Sequence, residues 1–333
     1  MALARAWYRP GGRGLALAPL GWLFARVARV RRRLLQRRHQ GARFEVPVVV
    51  VGNIAVGGTG KTPLLIALAR RLRARGHRPG IVSRGYGGRP GPAPVLVTPA
   101  HGAAEVGDEP CEIAAATGCP VVVCPDRRAA VDWLLAHCDC DLVLADDGLQ
   151  HYRLHRDFEI AVVDGSRGLG NGRCLPAGPL REPPARLREV DILVVNGGDY
   201  RPQRDCLRMW LRPLHFRHLV SGRVASPEAF RDAQQRGGAP ARVHAVAGIG
   251  NPGRLRATLE ALGFAVDLHP RPDHHVFRAA DLCFSDALPV VITRKDAVKC
   301  QAIAHDRIWV LEVVAELPDR DWDELLAAIE KLV

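Results

Sequence analysis

No stretch of this 333-residue sequence approaches the eighteen or so consecutive apolar residues that a spanning helix needs, so the chain is not expected to cross a bilayer. Its nine cysteines (Cys111, Cys119, Cys124, Cys138, Cys140, Cys174, Cys206, Cys283 and Cys300) are odd in number and form no CxxC pair. With no secretory signal ahead of them, reduced cytosolic thiols are expected, not a disulfide framework. Cys138 and Cys140 have no histidine pair nearby and are read as core or surface thiols. Aromatic residues make up only 5% of the chain, which speaks against a protein that stacks on nucleic-acid bases. No internal repeat is visible. Residues 1 to 44 contain no Asp or Glu at all.

What those first residues do contain is arginine: Arg5, Arg9, Arg13, Arg26, Arg29, Arg31, Arg32, Arg33, Arg37, Arg38 and Arg43. Between them Leu20, Leu23, Phe24, Val27, Val30 and Leu34 recur at three- and four-residue spacing, which gathers them on one helical face. A basic helix with one apolar face is built to lie in a membrane interface, with Trp7, Tyr8 and Trp22 as candidate headgroup-level anchors. Each cation near an anionic surface adds on the order of 1 kcal/mol of attraction. The plainer alternative is an amphipathic helix packed on the protein's own core. The whole chain carries a net charge of +12, so an anionic partner is expected: lipid, nucleotide or nucleic acid.

Phosphate chemistry is written most clearly into Val46 to Thr62, VPVVVVGNIAVGGTGKT. Four consecutive valines, Val48 to Val51, suit a strand buried on both faces of a parallel sheet. Gly57, Gly58 and Gly60 around Thr59 let the backbone bring successive N–H groups close to a polyphosphate. A helix then opens at Thr62 with Pro63 in its first turn, and its N-terminus adds partial positive charge. Lys61 would reach the outer phosphates and the Thr62 hydroxyl would hold Mg²⁺. Ala55 stands where the G-x-x-x-x-G-K-[ST] pattern has its first glycine.

Beyond this loop, buried strands are expected near 78–83, 121–124, 141–145, 160–163 and 192–195, with helices at 63–75, 111–117 and 129–137. That rhythm means βαβ units and a parallel sheet with helices on both faces. Around residues 198 to 215 the sequence turns polar and turn-forming, and a domain boundary is placed there. The expected organisation is a basic membrane-association segment over 1–44, a P-loop NTPase-like α/β domain over 45–200, and a smaller second α/β domain over 201–333, with a cleft between the domains. The terminal helix, 321 to 332, has room to pack back on the first domain. Gly248-x-Gly250 is read as a tight strand-to-helix turn and not as a dinucleotide fingerprint.

Asp146 and Asp147 follow a buried strand at its carboxyl end, where α/β sheets bind ligands, and are assigned to the Mg²⁺ shell. Transfer to a hydroxyl also needs a proton acceptor. Asp108, in a glycine-flanked loop, and His274, in Asp273-His274-His275, could meet across the cleft as a carboxylate–imidazole dyad. On residue types alone, His274 as a cap or a surface residue stays open beside that.

VGNIAVGGTGKTP, SRGYGG, GDEP, PDRR, LADDGLQH, PDHH and TRKDAVK, in this order behind a basic apolar N-terminus, resemble the tetraacyldisaccharide 4′-kinase family over about residues 15 to 300. The resemblance implies two α/β domains joined by a hinge. It also implies transfer of the γ-phosphoryl of ATP, with Mg²⁺, to the 4′-hydroxyl of a tetraacylated disaccharide 1-phosphate, giving lipid IVA at the cytoplasmic face of the bacterial inner membrane. It makes Asp108 and His274 the catalytic dyad and gives Lys61, Thr62, Asp146 and Asp147 to the phosphates and metal. Arg127 and Tyr86 match phosphate- or nucleotide-side contacts, and Glu109, Asn196 and Asp273 the substrate or hinge side. Family members often carry TEKDAVK, and Arg294 replaces that glutamate, so Arg294 receives no role. No nucleic-acid partner and no obligate protein partner are expected. The rival from another class is a P-loop NTPase that couples hydrolysis to a membrane or protein partner, against which the histidine of the second half argues.

Overall fold

The structure, a computed structural model, describes residues 7–8, 16–39, 43–235 and 240–333. Arg5, Arg9 and Arg13 lie outside the described residues. In chain order the strands are β1 (Val48–Gly52), β2 (Pro79–Ser83), β3 (Val95–Leu96), β4 (Val121–Val123), β5 (Leu142–Asp146), β6 (Phe158–Asp164), β7 (Ile192–Asn196), β8 (Leu207–His218), β9 (Val224–Ala225), β10 (Arg242–Ala247), β11 (Ala265–Pro270), β12 (Val290–Thr293) and β13 (Ile308–Glu316). The helices are α1 (Ala18–His39), α2 (Lys61–Ala74), α3 (Ala103–Val106), α4 (Asp108–Thr117), α5 (Arg127–His137), α6 (Pro227–Gln234), α7 (Pro252–Ala261), α8 (Ala279–Leu282), α9 (Arg294–Cys300) and α10 (Asp319–Glu330).

All the strands belong to one sheet, in the order β11-β10-β12-β13-β8-β7-β6-β1-β5-β2-β4-β3, with β9 beside β8. β1 sits between β5 and β6, parallel to both. Its valines alternate between two cores, as a doubly covered strand requires. Val49 and Val51 face Leu64, Leu68 and Leu72 of α2, while Val48 and Val50 face Val131 and Leu134 of α5. Trp322, Leu325, Leu326 and Ile329 of α10 join the first of these cores, so the chain's last helix packs back on the P-loop helix.

β8 differs from the sequence reading, which saw only polar turn-forming texture up to residue 215. Its first residues, Leu207 to Met209, pair in parallel with β7, and its later ones pair antiparallel with β13. Burial alternates along it, yet apolar residues run together at Met209 to Leu211, and the polar turn residues Gly197–Asp205 precede it. One strand therefore links both halves. The second half has its own cores on the two faces of the sheet, around Val243, Ala245 and Val291 on one and Val246, Val290 and Ile292 on the other.

α1 lies on the first half with its apolar stripe turned outward. Gly21 is buried against Ala177, and Ala25 packs against the α5-side core. Arg32 pairs with Glu189 and lies over the Tyr152 ring. Leu20, Trp22, Leu23, Val27, Val30 and Leu34 are exposed, Trp22 at 65%. Trp7 and Tyr8, expected as headgroup anchors, touch the 167–176 loop: the Trp7 indole donates to the Pro176 carbonyl, and Arg167 lies over Tyr8. Among the described residues no helix is long and apolar enough to cross a membrane.

Candidate active site

The loop between β1 and α2 takes its shape from local backbone chemistry. Gly60 has φ +96°, a conformation that favours glycine, and a Cβ there would run into the Asn196 side chain. Asn196, at the end of β7, donates to the Thr59 carbonyl at 2.9 Å, and Asn53 donates to the Thr59 hydroxyl at 3.2 Å. No side chain caps α2, so its first-turn amides are left for an anion. Ala55, in place of the first motif glycine, is buried and bridges to Leu180.

Lys61, Asp146, Asp147 and Arg127 crowd beside this loop. Lys61 Nζ lies 3.7 Å from Asp147 Oδ1, and Arg181 Nη1 donates to Asp147 Oδ2 at 2.9 Å. Burial pushes Asp147 up, but Lys61 and Arg181 outweigh it and hold the carboxyl at about 2. Burial also raises Asp146, helped by the nearby Glu109 charge, and only partly offset by Lys61. Lys61 stays charged: burial would lower it, yet Asp147, Glu109 and Asp146 raise it further. Arg127 is lowered to about 10 by burial. Asp146 Oδ1, Asp147 Oδ1 and Arg127 Nε are buried without a hydrogen-bond partner. Two adjacent orphaned carboxylate oxygens beside Thr62 fit a divalent cation shared with phosphate oxygens. Among the described residues no cluster of three or more His, Cys, Asp or Glu could hold a metal ion.

The second pair is assembled across the chain. His274 Nδ1 lies 3.1 and 3.2 Å from the two oxygens of Asp108, although 166 residues separate them. Asp108 opens α4 and is only 3% exposed, so it meets the cavity through the imidazole. Burial pushes Asp108 up, but the His274 hydrogen bond, Lys295 and Lys299 hold it below the ordinary carboxylate range. The Tyr86 ring stands edge-on to His274 with centroids 4.6 Å apart, which puts it beside the dyad. Glu109 and Asp273 share the ammonium of Lys295, at 3.0 and 3.2 Å. Among the described residues the non-glycine residues with left-handed backbone are Asp147 and His274, one in each pair. Such strain concentrates at functional sites.

Both pairs border one cavity of about 880 Å³. The P-loop, Arg127, Asp146, Asp147, Tyr86, Glu109, Asp273 and His274 line it, and Arg31 and Leu35 of α1 reach its edge. The second half closes on the loop directly, because a Cβ on Gly250 would strike the Gly58 amide. Asn251 and Arg254 of that half both donate to Asp164 at the end of β6, at 3.0 and 2.6 Å. The sequence reading missed Ser83, which donates to Asp146, Arg181, and the Asn251–Arg254–Asp164 contact. SRGYGG contained the signal for Ser83; nothing in the spacing pointed to the others.

The family described as tetraacyldisaccharide-1-P 4′-kinase matches residues 13–332. A tetraacyldisaccharide 4′-kinase of Alkalilimnicola ehrlichii is 51% identical over 98% of this chain and 96% of its own length. Those of Pseudomonas paraeruginosa and Alcanivorax borkumensis are 49% and 47% identical, over 94% and 97% of this chain and 92% and 95% of theirs. A crystal structure of Aquifex aeolicus LpxK in complex with ATP superposes with a TM-score of 0.76 at 26% identity, over 95% of this chain and 99% of that one. Family match, near-full-length relatives and fold agree, and the chain belongs to the tetraacyldisaccharide-1-P 4′-kinase family of enzymes.

Proposed function

We infer that this chain transfers the γ-phosphoryl group of ATP to the 4′-hydroxyl of a tetraacyldisaccharide 1-phosphate, forming lipid IVA, while resting on the cytoplasmic face of a bacterial inner membrane. The observation that carries the reading is one cavity bordered both by a P-loop with paired aspartates and by a carboxylate–imidazole pair. Hydrolysis alone requires only the first. Lys61 and Arg127 would bind the phosphate chain and offset charge on the transferred group. Thr62, Asp146 and Asp147 would hold Mg²⁺, which when bound neutralises phosphate charge and orients the nucleotide. The Asp108–His274 pair takes the proton as the sugar oxygen attacks, with Tyr86, Glu109 and Asp273 around it. Asn196 braces the loop from beneath. The exposed apolar stripe of α1, flanked by arginines, suits a membrane surface, where a four-chain lipid must stay. Residues 45–200 and 201–333 act as two domains on this reading; the second half has cores of its own, while Leu207, Met209 and the terminal helix pack into the core of the first.

Labelled γ-phosphate transfer to the lipid in mixed micelles with Mg²⁺, read by thin-layer chromatography, is the test. A new, more anionic lipid spot is expected. Phosphate released to water with no lipid product would overturn the reading in favour of a coupled NTPase.

A further inference from the structure

We propose that Lys295 and Lys299 are positioning residues for the phosphoryl transfer: one turn apart on α9, they hold the Asp108 carboxylate as an anion in place against His274. The inference rests on the reading of Asp108 and His274 as the proton-accepting pair. It gives TRKDAVK a task that the P-loop, the aspartates and the dyad leave unassigned.

Hydrogen bonds that neither lysine makes hold the start of α9. Thr293 Oγ1 accepts from the Asp296 amide and donates to Asp296 Oδ2, which also accepts from the Gly248 amide. At the i and i+4 positions that follow, both ammonium groups turn to the dyad. Lys295 Nζ lies 4.0 Å from Asp108 Oδ2 and bridges Glu109 and Asp273. Lys299 Nζ lies 3.6 Å from the same Asp108 oxygen and 2.9 Å from Asp296 Oδ1, without hydrogen-bond alignment. The Phe277 ring also lies near it.

Two mostly buried ammonium groups are expensive to keep, and of the two it is Lys299 that pairs within the helix, with Asp296. The carboxylates they face require them. Asp108, Glu109, Asp273 and Asp296 gather here, with Cys111 and Glu112 on the same helix as Asp108. Crowded carboxylates without counter-charge take up protons. A protonated Asp108 could donate to His274 Nδ1 as well as accept from it, and the imidazole would lose its fixed tautomer. In the transfer itself the sugar O–H bond breaks, its proton passes to the dyad, the new O–P bond forms and the bond to the departing ADP oxygen breaks. The lysines exchange no atom, so their effect belongs in the titration of the dyad.

The pH profile of kcat/KM tests this in the full-length enzyme with lipid acceptor in micelles. Lys299→Gln should move the acid limb up by about one pH unit, since a charge within a few ångströms shifts a pKa by that order. Lys299→Arg, which keeps the charge, should return the limb to its wild-type position. Should Lys299→Gln not fold, Lys295→Gln carries the same test, because both lysines act on one carboxylate. A uniform loss of rate with an unmoved acid limb would overturn the proposal and leave the lysines purely structural. Absence of transfer by the wild-type chain would instead overturn the reading of the dyad itself.

Discussion

The phosphate side and the acceptor side of the cavity are built by different means. On the phosphate side, Gly57 to Thr62 are contiguous, and the paired aspartates come from the end of β5, the immediate neighbour of β1, and the turn directly after it. Strand pairing alone brings them together. On the acceptor side, Asp108 and His274 come from opposite halves of the chain, and only the closure of the second half on the first makes them touch. A P-loop can therefore survive small shifts between the halves, whereas a dyad shared between them cannot. Placement errors of about 1 Å at such a site can cost on the order of 10²-fold in rate.

The largest effect should come from the local side. Lys61→Ala is expected to lower kcat by roughly three orders of magnitude or more with the thermal unfolding midpoint little changed, since it removes charge aimed at the transferred group. An active variant would remove the P-loop from the mechanism. Next come Asp108→Ala and His274→Ala, each lowering kcat by roughly 10²- to 10³-fold. The double variant should be little worse than either single one, because the two act as a unit. Additive losses would mean that the contact is not a working dyad. Gly250→Ala sharpens the contrast further, since the added Cβ strikes the Gly58 amide and pushes the halves apart. A fall of about tenfold in kcat/KM is expected, with the fold retained by circular dichroism.

A smaller effect concerns stability and pH. Burial raises the Glu112 carboxyl from 4.5 to about 8, so the folded chain holds a proton that the unfolded chain releases across that interval. Stability from this group is complete below about 4.5 and declines as pH rises to about 8. Glu112→Gln should flatten the change in unfolding midpoint between pH 5 and pH 8, and an unaltered slope would show that Glu112 is ionised in the fold. The smallest effect on the isolated enzyme belongs to α1. Trp22→Ser with Val27→Ser alters only exposed side chains, so unfolding should move by less than about 0.5 kcal/mol. Sedimentation with anionic vesicles should nonetheless fall several-fold; unchanged binding would put the membrane contact elsewhere.

Much of this site was legible in residue order, for physical reasons that differ from place to place. The P-loop was readable because glycine freedom, strand burial and the helix N-terminus all act within a dozen residues. Asp146 and Asp147 were readable because the end of a buried parallel strand is where a sheet offers ligands. The outward stripe of α1 was readable as an apolar face, but its direction was not, since periodicity says which residues share a face and not where it points. The small residues Gly21 and Ala25 face the protein and leave the large ones exposed. β8 was hidden by the turn residues before it, and its two pairings depend on both halves at once.

Sequence by itself determined the phosphate-binding loop, the α/β rhythm and the basic, acid-free amphipathic helix, because each is set by neighbours a few residues apart. Tertiary structure alone decided that Asp108 meets His274, that Arg181 restrains Asp147, and that Lys295 and Lys299 converge on one carboxylate. Those contacts span tens to hundreds of residues, and their geometry is set by how the sheet continues through β8 from one half to the other.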